Sequence, residues 1–285
     1  MKHMRKVLVK LFSGLLAASI LTSPITGLAK ELVSVNKIPQ LTDIKMVIVD
    51  EAVDEGDSPI LVGPKVFKGP SGKDILTKSV EVHPTKLLES YNSATTMDFD
   101  YKGKYKTINV LWEFLYNESN LEPELVAAII GHVAMEGDFG IQQGTYATID
   151  NIKEAEMFLV PNAKSIGYGV IQWTFAERRN LLLKYYKDVY EILDDESRWT
   201  EVALTAECCC LLEEMKGYGI LDDYNKLTGN KLESAVGLLS MNYIGYQGYT
   251  ADWSKSGNTY TLINSNSSGA DRLAYSKEVY EYFMN

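Results

Sequence analysis

Histidine and cysteine are both scarce, with three of each in 285 residues. The cysteines are adjacent, at Cys208-Cys209-Cys210, so they cannot pair into an ordinary disulfide framework. With so few histidines they also give no recognisable zinc spacing, and no metal or cofactor is expected. Positive charge is short too: Lys and Arg number 28 against 38 Asp and Glu, a formal net charge of −10 without a basic tract. That excludes a nucleic-acid partner, because such binding draws its affinity from phosphate neutralisation. Beyond the first 29 residues no apolar run is long enough to span a membrane. What remains is ordinary globular composition, 46% hydrophobic and 23% charged, enough for a sizeable core.

The amino terminus reads as an export signal. Lys2, Arg5, Lys6 and Lys10 precede an apolar run from Leu11 to Leu21, followed by Pro24 and the small-residue site Gly27-Leu28-Ala29. This is the charged, apolar and cleavage pattern of a secretory signal peptide over residues 1–29. Its removal leaves 24 basic against 38 acidic residues, a charge of −14. The expectation is a protein secreted to the extracellular space or cell wall, without a stable membrane anchor after cleavage.

Two textures follow. Residues 30–105 hold five of the eight prolines, no tryptophan and three of the eighteen tyrosines. Short β-like runs stand at Met46–Val49 and Ile60–Val62, so the segment reads as either a small β-rich appendage or an extended arm, the arm being preferred. Residues 106–285 carry all four tryptophans and fifteen tyrosines, and show repeated helical periodicity. Helices are expected at about Thr107–Tyr116, from Glu122 with Pro123 in the first turn, and from Thr174 to about Leu193 behind a Thr174-x-x-Glu177 capping box. Others are expected at about Thr200–Met215, Lys231–Asn242 behind Asn230, and Gly269–Phe283. The fold class predicted is mainly α.

One carboxylate stands out by position. The stripe Leu125, Ile129, Val133 leads three residues on to Glu136, just before Gly137-Asp138-Phe139-Gly140, which should end the helix. A carboxyl at the end of an apolar stripe is disfavoured in its charged form, which is what a general acid needs to protonate a departing glycosidic oxygen. The plainer alternative has Glu136 facing solvent or pairing with His132 one turn back. A second constellation is Gly167-Tyr168-Gly169-Val170-Ile171-Gln172-Trp173-Thr174, followed by Arg178-Arg179. Its glycines permit close backbone approach or a tight turn, and Gln172 with Trp173 offers an amide and a flat apolar face of the kind sugars bind against. Equally, the tryptophan fills the core.

Together, Val-Ala-Ala-Ile-Ile-Gly-His-x-x-x-Glu136 and Gly-Tyr-Gly-x-x-Gln-Trp-Thr-x-x-x-Arg resemble the phage tail lysozyme domain of the lysozyme-like superfamily, found in phage tails and in secreted wall hydrolases of Gram-positive bacteria. The resemblance covers about residues 106–284, including the Arg272-x-Ala274 helix near the end. It implies an α+β, mainly helical lysozyme-like fold and cleavage of the β-1,4 bond between N-acetylmuramic acid and N-acetylglucosamine. It makes Glu136 the catalytic acid, places Tyr168, Gly169, Gln172 and Trp173 along the glycan-binding cleft, and names peptidoglycan strands as the partner. Asn242-Tyr243-Ile244-Gly245-Tyr246 lacks a charged pair that the family often carries there, which favours a competing class, a lysozyme-like protein that holds glycan without cutting.

The partner of Glu136 is left open. Asp138, Asp150, Glu154 and Glu156 lie in the following segment, and a retaining or inverting glycosidase would need one of them at a defined separation. A lytic transglycosylase needs none. A cysteine peptidase is the third class, disfavoured because Cys208–Cys210 sit among Ala203, Ala206, Leu211 and Leu212 rather than at a helix start where a thiolate is stabilised. His83, before Pro84, reads as a loop residue. The aromatic stretch Tyr243–Tyr260 with Trp253 is either a saccharide platform or a cover for the core.

Overall fold

The computed structural model describes residues 60–62, 66–68, 74–76, 80–97, 104–136, 140–144, 147–160, 167–244 and 249–285. The leader at 1–29, the run at Met46–Val49 and Asp138 lie outside them.

Four short strands come first: β1 (Ile60–Val62), β2 (Val66–Lys68), β3 (Asp74–Leu76) and β4 (Val80–Val82). β1 pairs antiparallel with β4, Ile60 opposite Val82, and β2 pairs antiparallel with β3, Val66 opposite Leu76. The β-like reading of Ile60–Val62 thus holds. Helix α1 (Pro84–Ser93) follows, with Pro84 at the first turn where its missing N–H costs nothing. Val82, Leu87 and Met97 are buried in the same core as the later helices, and α1 packs against α2 (Tyr105–Trp112) and α6 (Trp199–Gly217). Residues 80–97 therefore do not run as an extended arm, while residues 30–59 lie outside the described residues. From β4 onward the chain belongs to the core, because α1 brings Leu87 to a surface that α2 and α6 would otherwise expose.

The helices expected from periodicity are present. α2 continues as a π-helix over Glu113–Glu118, and α3 (Pro123–Met135) is buried along almost its whole length. After it come α4 (Ile152–Phe158), α5 (Ala176–Leu193), α6, α7 (Ile220–Asn225), α8 (Lys231–Asn242), the hairpin β5 (Trp253–Ser256) and β6 (Thr259–Leu262), and α9 (Ser268–Met284). The described chain is mainly α. Asn230 caps α8 by accepting from the N–H of Glu233, as its spacing predicts. The capping box at Thr174 does not form. The hydroxyl of Thr174 donates instead to the carbonyl of Gln172 (2.8 Å), and α5 begins at Ala176 with Phe175 at its N-cap. α6 runs through the middle of the molecule and packs on α5, while α3 packs on α8 and α9. α3 and α9 approach closely at Gly131, where an added Cβ would lie 2.0 Å from Ser276 Oγ and 2.7 Å from the Arg272 carbonyl. Trp253 and Tyr260 of the hairpin are buried, so that stretch covers the core. Among the described residues no helix is long and apolar enough to cross a membrane.

Candidate active site

Glu136 occupies the C-cap of α3, its N–H returned to the carbonyls of His132 (3.1 Å) and Val133 (3.3 Å). The apolar stripe carries the carboxyl inward, but its side chain keeps 18% exposure. Arg272, near the start of α9 and itself buried, donates from Nη2 to Glu136 Oε1 (3.0 Å). The close contact at Gly131 is what lets α9 bring this guanidinium under the end of α3. Desolvation pushes the Glu136 carboxyl above its ordinary value, opposed by Arg272 and by the more distant charges of Lys104 and Arg178. Lys104 is anchored by donation from Nζ to the Val133 carbonyl (2.8 Å).

His132 does not pair with Glu136. Arg272 Nη1 donates to His132 Nδ1 (3.0 Å) and to the His132 carbonyl (3.2 Å). An arginine can only donate, so Nδ1 is the acceptor and the ring proton sits on Nε2, facing the Val236 carbonyl (3.2 Å). Burial and Arg272 together hold this imidazole well below its ordinary value, and therefore neutral. His132 orients the arginine, and the arginine meets Glu136.

The glycine–glutamine–tryptophan segment is a turn locked onto α6. Gly169 adopts φ +70°, and a Cβ there would lie 2.6 Å from the Trp173 ring and 2.7 Å from Glu207 Oε2, so only glycine fits. Gln172 is also left-handed, at φ +53°, with its amide donating to the Gly169 carbonyl (2.9 Å). Two carboxylates of α6 hold the segment. Glu207 accepts from the N–H of Val170 (3.0 Å), from the N–H of Gln142 (3.0 Å) and from the hydroxyl of Tyr186 (3.2 Å), which ties the chain beyond Glu136 to the turn. Burial pushes the Glu207 carboxyl up to about 7. Glu214 accepts from Trp173 Nε1 (2.9 Å), from Tyr243 (2.9 Å) and from Arg178 through Nε (2.8 Å) and Nη2 (2.7 Å).

Trp173 is consequently sealed in the interior, with no face left for a sugar, and its reading as an open stacking surface is corrected. The indole N–H needs a buried acceptor, Glu214 supplies one, and the ring follows it inside. Tyr168 is likewise buried, its hydroxyl donating to the Ala147 carbonyl (2.9 Å). Gly169 shapes the turn, and Gln172 and Thr174 are the members of the segment left partly exposed. Of the candidate second carboxylates, Glu154 accepts from the N–H of Asp150 (2.7 Å) at the start of α4, and Glu156 pairs with Lys187 (2.7 Å). Cys208, Cys209 and Cys210 are free and buried, and burial pushes all three thiols up, away from nucleophilic thiolate. His83 stands at the N-cap of α1. Among the described residues no group of His, Cys, Asp and Glu could hold a metal ion.

Arg178 and Arg272 stand in the sequence motifs without an assigned role, and Glu207 and Glu214 are site residues that the sequence reading did not single out. Arg272 lies 136 positions from Glu136, beyond any helical or strand period. The only local signals were the Arg178-Arg179 pair and the four glutamates of α6, too many acids for a helix otherwise built of Val, Ala, Leu and Cys.

A mainly helical domain with a largely buried carboxylate at the end of α3 is consistent with a lysozyme-like protein. The family described as Phage tail lysozyme matches residues 106–283, and the chain belongs to that family. Its function is lysozyme-like and directed at peptidoglycan. No curated protein and no solved structure matches the chain.

Proposed function

We propose that the protein is a peptidoglycan hydrolase that cleaves the β-1,4 bond between N-acetylmuramic acid and N-acetylglucosamine, with Glu136 as general acid. The observation that carries this reading is the setting of Glu136: it ends a buried helix, burial raises its carboxyl above the ordinary value, and its side chain keeps 18% exposure. After proton transfer to the departing glycosidic oxygen, the carboxylate is left facing Arg272, which stabilises the charge it has just acquired. Arg272 thereby limits how far burial raises the carboxyl, and His132 positions Arg272. Residues 1–29 would deliver the chain to the wall as a secreted protein.

A second reading, lytic transglycosylation, draws on the engagement of Glu154 and Glu156 in contacts around α4, since that reaction takes its nucleophile from the substrate's own hydroxyl. Wall digestion followed by mass spectrometry separates the two, because hydrolysis adds a water to each fragment and transglycosylation does not. Glu136→Gln keeps the shape and a partner for Arg272 but has no proton to give. Clearing of purified peptidoglycan should drop by about 10²–10⁴-fold while the circular dichroism spectrum is retained. Undiminished clearing would remove Glu136 from the mechanism.

A further inference from the structure

With the Trp173 ring sealed inside, the proposed glycan site needs another flat apolar surface, and Tyr218 offers one. Tyr218 caps the C-terminus of α6, its N–H bonded to the Glu214 carbonyl (2.8 Å), and its side chain is about half exposed, at 52%. It stands between Gly217 and Gly219, and a Cβ added at either would meet nothing within 4 Å, so the surface around it is open. Behind it lies Tyr243, ring centroids 5.8 Å apart and tilted by 49°. Tyr243 in turn lies under the guanidinium of Arg178, 5.1 Å from its centroid. Tyr243 and Arg178 both bond Glu214, the carboxylate that also holds Trp173, so the exposed ring is backed by the same anchor as the glycine–glutamine–tryptophan turn.

The chemistry of the spot selects the ligand. Glu214 takes both Nε and Nη2 of Arg178, so its charge is already matched and little remains to attract an anion. What is presented outward is a neutral ring, backed by a second ring and fixed by the helix end, which costs little entropy to use. We propose that Tyr218 is a glycan subsite, stacking the apolar face of an N-acetylated sugar of the peptidoglycan strand away from the bond held at Glu136. The proposal rests on the glycan-cleaving reading above.

The test compares Tyr218→Ala, Tyr218→Phe and, as a remote exposed ring, Tyr282→Ala in the full chain. Tyr218→Ala should raise KM for purified peptidoglycan about five- to tenfold, with the loss falling on KM rather than kcat. Tyr218→Phe, which keeps the ring, should restore KM, and Tyr282→Ala should match the parent. A KM within about twofold of the parent in Tyr218→Ala, or a loss carried by kcat alone, overturns the subsite. Chitotetraose titrated into the Glu136→Gln protein, with and without Tyr218→Ala, gives a readout independent of cleavage. Weaker binding without the ring supports the subsite even if the parent releases no reducing ends, which would defeat the Glu136 reading alone. Equal binding overturns the subsite even if Glu136 proves to be the acid.

Discussion

The end of α3 and the middle of α6 both place carboxylates in the interior, and they treat them in opposite ways. At Glu214 the indole, phenol and guanidinium of Trp173, Tyr243 and Arg178 converge on two oxygens, and at Glu207 two backbone N–H groups and a phenol do the same. At Glu136, among the described residues, one guanidinium holds one oxygen, and the side chain keeps 18% exposure. Glu214 and Glu207 tie elements together through several donors each, whereas Glu136, with one donor among the described residues, stays partly exposed. The α6 acids build the wall on which the turn at Gly169 rests.

The largest expected effect on stability comes from breaking the α6 side. Glu214→Ala strands the buried guanidinium of Arg178 and the N–H of Trp173 together, and should cost about 3–5 kcal/mol in denaturant unfolding. A loss below about 1 kcal/mol would mean that Glu214 is no anchor and that the contrast with Glu136 is false.

Glu207 sharpens the comparison through pH. Its carboxyl is raised in the folded protein to about 7 from an ordinary 4.5, so the fold binds this proton more tightly than the unfolded chain does. The stabilisation is present in full below pH 4.5 and is lost as pH rises through 7, amounting to about 3 kcal/mol. Glu207→Gln carries no titrating proton, so this fall between pH 4.5 and 7 should vanish from its unfolding free energy. An unchanged slope in the variant would place the titration elsewhere.

The smallest effect is a displacement rather than a loss. Arg272 holds the Glu136 carboxyl down against desolvation, so Arg272→Met should raise it and move the alkaline limb of the kcat profile to higher pH. The same limb in parent and variant would show that the arginine does not tune the acid. A displacement to lower pH would contradict the sign of the ion pair.

Local signals were legible where one element decided them. α8 begins and ends as its periodicity and the Asn230 cap predict, and Glu136 falls at the end of α3 because Leu125, Ile129 and Val133 fix the face three residues earlier. The hairpin β5–β6 carries a local turn signal of its own: Gly257-Asn258 separates two four-residue strands, and Gly257 takes φ +58°. Helix α1 was hidden in proline-bearing chain whose Pro84 starts the helix rather than breaking it. Thr174 misled because its capping spacing is a local preference, and the turn at Gln172 took its hydroxyl first.

By itself the sequence determined the helical class, the family, the buried face of α3 and the carboxyl at its end, because periodicity and motif are properties of neighbouring residues. Only the tertiary structure decided that Trp173 is an internal strut and that Arg272 rather than His132 meets Glu136. Each of those outcomes depends on which distant group satisfies a buried donor or charge. Arg272 reaches Glu136 across 136 positions, and Glu214 reaches Trp173 across 41. Burial makes such partners obligatory, and the packing of α9 on α3 and of α6 beside α5 selects them.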